Sequence, residues 1–431
     1  MMQESSEQLV APLAPVSGFR RTPTSSWFPE ARFILLCART SVSEAVRQRV
    51  RETARGPLDW ALVLDLARFH GVGPLLWQSI TALCADLVPE ATLTALRQVT
   101  QAGTLLNRAL ARETVRISLA FEERGLPAIP FKGAALAALA YQDVHLRDFD
   151  DLDFIVPQAR LAEAQDILLA HGYRPLSRSR ESFQDAHYDE PYHLYMHETS
   201  RLLVDLQWVM AHEQFSFRLD RSDIWDRRIS LSVDGGRIST IAPEELLIIL
   251  CVHGSKHAWE RLKWIVDVDA LIRAHRLDWD RVMSTANTWK CRRMVLLGLR
   301  QAQQTMNAEL PPALWAAVRA DADVLDLAAR MPKSLLFQPQ DGIDEHDGPA
   351  LYYALKDTKL EQWRYALDLC RDDHRVVHDA PEWFRHRGFL RRLACAVQPV
   401  RSWAVKFPLA KQTRRGIARL AGRSRTADLQ C

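Results

Sequence analysis

Residues 147–156 read RDFDDLDFIV, and how this stretch folds decides the architecture around it. Four carboxylates, Asp148, Asp150, Asp151 and Asp153, run directly into an apolar segment that ends at Pro157. LDFIV has the length and apolar continuity of a buried strand. Side chains two apart in a strand point the same way, so Asp151 and Asp153 share one face, about 6 to 7 Å apart along the backbone. Leu152 and Ile155 are expected in the core, with Phe154 and Val156 flanking them. Like charges this close repel, and desolvation at the edge of a core makes ionisation costlier still. The stretch therefore calls for a positive partner. A hard divalent cation, Mg²⁺ or Mn²⁺, fits because it takes carboxylate oxygens together with substrate phosphates.

The flanking sequence supports a strand reading on both sides. Upstream, the extended piece LPAIPF runs into Lys132-Gly133 and then a helix over 134–141, giving strand, turn and helix. A glycine at such a turn lets backbone N–H groups approach a phosphate at the start of the helix, while Lys132 and Arg147 could neutralise a triphosphate. Downstream, ARLAEAQDILLAHG reads as a helix closed by Gly172, and YHLYMH and LLVDLQW, joined by ETSR, read as a β-hairpin. The second hairpin strand carries a third acid, Asp205, in an otherwise apolar run. Asp151, Asp153 and Asp205 thus form the expected metal and catalytic set, whereas Asp148 and Asp150 are assigned to the turn. His193, Tyr195 and His197 alternate along the first hairpin strand and are expected to border the same site. His253 and His257 stand four apart on a later helix, a spacing that can bind zinc, but no third ligand accompanies them. That helix also carries Lys256, Trp259, Lys263 and Trp264, which by likeness to the C-terminal helices of related folds are expected instead to line a nucleotide or acceptor pocket.

Composition sets the wider frame. The chain has 431 residues, 48% hydrophobic and 25% charged, which is enough for two or three domains of an ordinary globular protein. Its seven cysteines are scattered and never form C-x-x-C, arguing against a disulfide framework or a zinc site and for a reducing cytoplasm. No apolar run is long enough for a membrane span. The net charge of +3 hides an asymmetry: residues 385–425 hold 12 Arg and Lys and no Asp or Glu, so the rest of the chain is net acidic. Such a tail could touch an anionic lipid surface or nucleic acid, or pack on the acidic body of the protein itself.

The expected organisation is a poorly ordered arm (1–40), an N-terminal helical region (41–124), a mixed α+β core (125–242), a C-terminal helical region (243–330), a linker with a helical extension (331–384) and the basic tail (385–431).

FKGAALAALAYQDVHLRDFDDLDFIVP resembles an uncharacterised nucleotidyltransferase family with a DNA-polymerase-β-like fold, whose members show a Lys-Gly turn, a helix ending near Tyr, and Arg-x-x-x-Asp-x-Asp. The likeness extends upstream to LDWALVLDLARFHGVGPLL and downstream to VDLQW and PEELLIILCVHGSKHAWERLKWIVDVDALI, covering roughly residues 55 to 275. It implies an α+β fold with a small mixed sheet flanked by helices. It also implies metal-dependent transfer of a nucleoside monophosphate from a nucleoside triphosphate to an acceptor hydroxyl. The metals would be held by Asp151, Asp153 and Asp205, and the nucleotide by Lys132, Gly133, Arg147 and Lys256. The acceptor is open among a small molecule, a peptide or protein, and an RNA end. A catalytically silent binding protein or adaptor acting through the basic tail is the rival reading. Two departures stand out: the wider superfamily has Gly-Ser where this chain has Lys132-Gly133, and the family's Asp-Leu-His-Trp appears here with Gln207 in the His position.

Overall fold

The computed structural model describes residues 28–176, 192–208, 223–337 and 348–371. The basic tail and the first 27 residues, on which two of the sequence expectations fall, lie outside the described residues.

The N-terminal region is a stack of helices: α1 (Pro29–Cys37), α2 (Glu44–Ala54), α3 (Trp60–His70), α4 (Gly73–Leu83) and the long α5 (Glu90–Glu123). Helix α1 corrects the expectation of a poorly ordered arm through residue 40. Phe33 and Ile34 are fully buried in the main core, and that apolar face orders the segment. Asp59 caps α3 by accepting from the Leu62 amide, and Gly71 ends it in a left-handed conformation.

The core follows with β1 (Ile129–Pro130), α6 (Gly133–Leu136) continued by a π-helical turn over Ala137–Tyr141, β2 (Asp151–Ile155), α7 (Leu161–Ala170), β3 (Tyr173–Pro175), β4 (Tyr192–His197) and β5 (Leu203–Gln207). These strands form one sheet in the order β1-β2-β5-β4-β3. Strands β2 and β5 are parallel, with Asp153 opposite Asp205, and the other neighbours are antiparallel. β4 and β5 are the hairpin read from the sequence.

Burial on β2 differs from the expected split. Leu152, Phe154 and Val156 face α5 and α7 in one core cluster, while Ile155 joins the larger cluster on the other side. Both faces of the strand are covered, which is why its apolar run is continuous.

A short helix α8 (Asp223–Asp226) leads to a second hairpin, β6 (Ile229–Val233) and β7 (Gly236–Thr240). Thr240 anchors it to the main sheet by donating from Oγ1 to the Pro130 carbonyl at 2.7 Å. Helices α9 (Pro243–Lys256), α10 (Leu262–Ala274), α11 (Trp279–Thr288), α12 (Arg292–Met306), α13 (Pro312–Ala320), α14 (Ala322–Phe337), α15 (Gly348–Ala354) and α16 (Lys359–Arg371) complete the described residues. Helix α14 runs through Phe337, so the segment expected to be a linker from residue 331 begins as helix. Among the described residues, no helix is long and apolar enough to cross a membrane.

Candidate active site

The parallel register of β2 and β5 brings the acids together. Asp153 and Asp205 sit side by side, Asp151 is two residues earlier on the same face of β2, and one carboxylate oxygen from each lies within 4.8 Å of the others. Burial, then the Asp153 charge, pushes the carboxyls of Asp151 and Asp205 up to about 7. Asp205 Oδ1 is buried with no hydrogen-bond partner among the described residues. An all-oxygen donor set with a desolvated, orphaned carboxylate oxygen is chemically suited to Mg²⁺ or Mn²⁺.

Lys132 is a cation that the chain itself places against this cluster. Its Nζ donates to Asp153 Oδ1 at 2.7 Å. Burial alone would lower its pKa, but the charges of Asp153, Asp205 and Asp151 outweigh burial and raise it. Gly133 follows with φ +49, and a Cβ there would stand 3.1 Å from the Asp151 carbonyl. A side chain would be both strained and crowded at that position, so glycine allows the Lys132 turn to lie against β2. The helix it opens is only four residues long before the π turn, so backbone approach is a better argument for Gly133 than a helix dipole.

Gln207 takes the position where the family's third-acid strand has His. Its Nε2 donates to Asp205 Oδ2 at 2.6 Å and to Asp153 Oδ1 at 3.3 Å. The amide therefore bridges acids on two strands and leaves the orphaned Asp205 Oδ1 turned away from it.

Arg147, expected at the phosphates, is engaged with another group in this structure, the buried carboxylate of Asp267. Its Nε and Nη2 donate to Asp267 Oδ1 and Oδ2 at 2.7 and 3.0 Å, and Tyr141 Oη donates to the same carboxylate at 2.7 Å. Arg147 is 6% exposed and Asp267 1%. A guanidinium fork engaged this way beneath the surface positions the strand rather than meeting a ligand. The buried Asn107 side chain adds to this foundation by donating to the carbonyls of Val144 and Arg147 at 2.9 and 2.8 Å.

His193, Tyr195 and His197 also depart from expectation. Leu194 is the residue opposite Asp205, while His193 and Tyr195 pair with Leu206 and Val204. The three side chains consequently face away from the acids. Tyr195 is in the α5/α7 core cluster, His193 meets Gln165 and the Trp208 ring, and His197 accepts from the amides of Thr199 and Ser200.

Asp148 presses close to Gly73 and Gly103, and burial raises its carboxyl pKa. It belongs to the packing of the turn. Lys256, at the end of α9, is close enough for its charge to interact with Lys132 and Asp205; burial, then Lys132, lowers its pKa.

Sequence reading missed Tyr141, Asn107 and Asp267 as parts of this foundation. For Asp267 a signal existed: an acid inside the apolar run IVDVDAL needs a buried partner.

A small mixed sheet with Asp-x-Asp on one strand, a third acid on its parallel neighbour and a lysine-glycine turn against them defines the nucleotidyltransferase class. The chain belongs to the uncharacterised nucleotidyltransferase family, whose sequence profile matches residues 56–307. No curated relative matches the sequence. Among solved structures, the chain is similar to ANT(2")-Ia in complex with adenylyl-2"-tobramycin at 17% identity, over 41% of this chain and 94% of that one, with a TM-score of 0.30. It is also similar to an antigenic nucleotidyltransferase-like protein from Paracoccidioides brasiliensis at 14% identity, over 49% and 93% of the two chains, with a TM-score of 0.32. Scores this low carry nothing about substrate.

Proposed function

We propose that this nucleotidyltransferase moves a nucleoside monophosphate from a nucleoside triphosphate to a hydroxyl of an acceptor and releases pyrophosphate. The observation that carries the reading is the convergence of Asp151, Asp153 and Asp205 to within 4.8 Å across two parallel strands. Divalent cations held there, Mg²⁺ or Mn²⁺, would neutralise phosphate charge and ease deprotonation of the acceptor hydroxyl.

The remaining roles fall to the chain's own groups. The acceptor oxygen attacks the α-phosphorus, the bond to the bridging oxygen breaks, and pyrophosphate leaves with that electron pair. Lys132, already beside Asp153, can turn its ammonium to the phosphates, and the Gly133 turn offers backbone amides at close range. Lys256 supplies a second cation from the α9 side. Arg147, bound to Asp267, holds the start of β2 so that its two acids keep their spacing. Catalysis of this kind rests on positioning and on charge stabilisation arranged in advance.

The acceptor is a small molecule, a peptide or protein side chain, or an RNA end, since the acid site engages only the triphosphate and one oxygen. Buried free thiols at Cys37, Cys84, Cys251 and Cys291 suit a reducing cytoplasm. Incubation with each labelled nucleoside triphosphate, Mg²⁺ and candidate acceptors tests the function. Label transfer matched by pyrophosphate is expected; nucleotide binding with no turnover across the acceptor panel would favour the silent binding protein instead.

A further inference from the structure

Helix α9 ends at Lys256, and α10 begins at Leu262. Three rings meet across this corner. His253 lies 4.7 Å from His257 and 5.5 Å, edge-on, from Trp264; His257 and Trp264 are 5.0 Å apart and inclined by only 31°. The rings and Lys256 are half-buried. No polar side-chain atom of the four has a hydrogen-bond partner among the described residues, and none is among the buried orphan atoms. They therefore keep access to solvent beside the acids.

The corner is also held in place. Ala258 and Trp259 both adopt positive φ, 51° and 58°, an uncommon conformation for side chains of these types. The fully buried Trp259 indole is seated against Gly254 and Gly298, where an added Cβ would come within 2.5 and 3.0 Å of its ring. Strain of this sort persists where surrounding packing over-determines it, and it gathers at ligand clamps. The rings are neutral as well: burial, then nearby Lys132 for His253 and Lys256 for His257, depresses both imidazoles, His257 to about 4.

We propose that His257 and Trp264 form the stacking face for the nucleobase of the triphosphate, and that Lys256 beside them takes a phosphate between that base and the acid triad. The proposal rests on the nucleotidyl-transfer reading. Every nucleobase has a π-face, so a platform of neutral rings adds affinity for any of them with modest preference. Lys256, on the same helical turn, lies on the side from which its charge reaches Asp205.

Calorimetric titration of the full chain with Mg-ATP and with Mg-tripolyphosphate separates base from phosphates. Trp264→Leu and His257→Leu should each weaken ATP about ten- to a hundredfold and leave tripolyphosphate within about twofold. Trp264→Phe should retain ATP, and Lys256→Met should weaken both ligands. Unchanged ATP affinity in the leucine variants overturns the proposal, and so does an equal loss for both ligands, which would make the rings structural. If Trp264→Leu does not fold, His257→Leu reads the same difference. Wild-type protein that binds neither ligand would sink the nucleotidyl-transfer reading itself, a different result from any of these.

Discussion

Replacing Asp267 by Asn removes the counter-charge of a guanidinium that is almost wholly out of water. Asp267 accepts both arms of Arg147 and the Tyr141 hydroxyl, and neither charged partner can turn to solvent at 1% and 6% exposure. Removing one partner of a buried pair costs about 3–5 kcal/mol, because the other charge stays desolvated. Set against about 5–15 kcal/mol for a typical domain, that is a large fraction of stability. Arg147→Met should cost a similar amount, since it strands the Asp267 carboxylate. The double variant Arg147→Met/Asp267→Leu should recover most of the loss, because apolar groups of similar volume carry no desolvation penalty. Urea unfolding followed by tryptophan fluorescence and circular dichroism, without nucleotide, measures all three. A single variant within about 1 kcal/mol of wild type, or a double variant whose loss is the sum of the singles, would refute a buried structural pair and return Arg147 to the phosphates.

Asp151→Asn or Asp153→Asn should abolish transfer while leaving the metal-free fold level or more stable, since each removes a carboxylate from a crowded, desolvated cluster; near-normal turnover at limiting Mg²⁺ would contradict the reading. Asp205→Ala should lower kcat by about a hundredfold or more, about 3 kcal/mol of barrier, with Mg-ATP affinity little changed; calorimetry beside turnover assays shows whether the two losses separate. Because Asp151 and Asp205 titrate near 7 when folded, the metal-free folded protein binds more protons than the unfolded chain between about pH 4 and 7. Their contribution to stability is therefore full at low pH and declines as pH rises through that window. Mg²⁺ binding should release protons and stabilise more at pH 8 than at pH 6, and equal melting shifts at the two pH values would count against it. Gln207→Leu should weaken Mn²⁺ binding, read by electron paramagnetic resonance, while the thermal melt stays near wild type, because the amide holds Asp205 Oδ2 and thereby aims Oδ1; unchanged Mn²⁺ affinity would remove Gln207 from the site.

Local chemistry made much of the core legible in the sequence. Asp59 and Gly71 bracket α3, Gly125 and Gly172 end α5 and α7 at positive φ, and the strand-turn-helix around Lys132-Gly133 follows from residue type. The second hairpin was overlooked although Asp234-Gly235 is a turn signal, because ISLSV and GRIST are short and half polar. Helix α1 was lost for a different reason: its nine residues are too few to be stable alone, and it is held by burial against the following helices α2, α3 and α4.

The site divides along the same line. Period-two geometry put Asp151 and Asp153 on one face, and the third acid on the hairpin strand completed the set. The faces of β4 were misread because alternation alone does not say which parity joins Asp205; the register with β5 fixes that, and it sends His193, Tyr195 and His197 to the opposite side. Arg147 was read as a phosphate ligand because charge near an acid cluster looks like one; its structural partner, 120 residues away on α10, was not legible. The register and that long-range pair also answer why four carboxylates can precede a buried strand. Asp148 is taken up by the turn, Asp150 is exposed to solvent, Lys132 and Gln207 each hold Asp153 by hydrogen bonds, Gln207 also holds Asp205, and Arg147 turns its charge away to Asp267. Among the described residues, one buried oxygen of Asp205 has no hydrogen-bond partner, and burial and the Asp153 charge push up the Asp151 carboxyl beside it. This residual negative charge, raised in energy by desolvation, is what a cation carrying a triphosphate would meet.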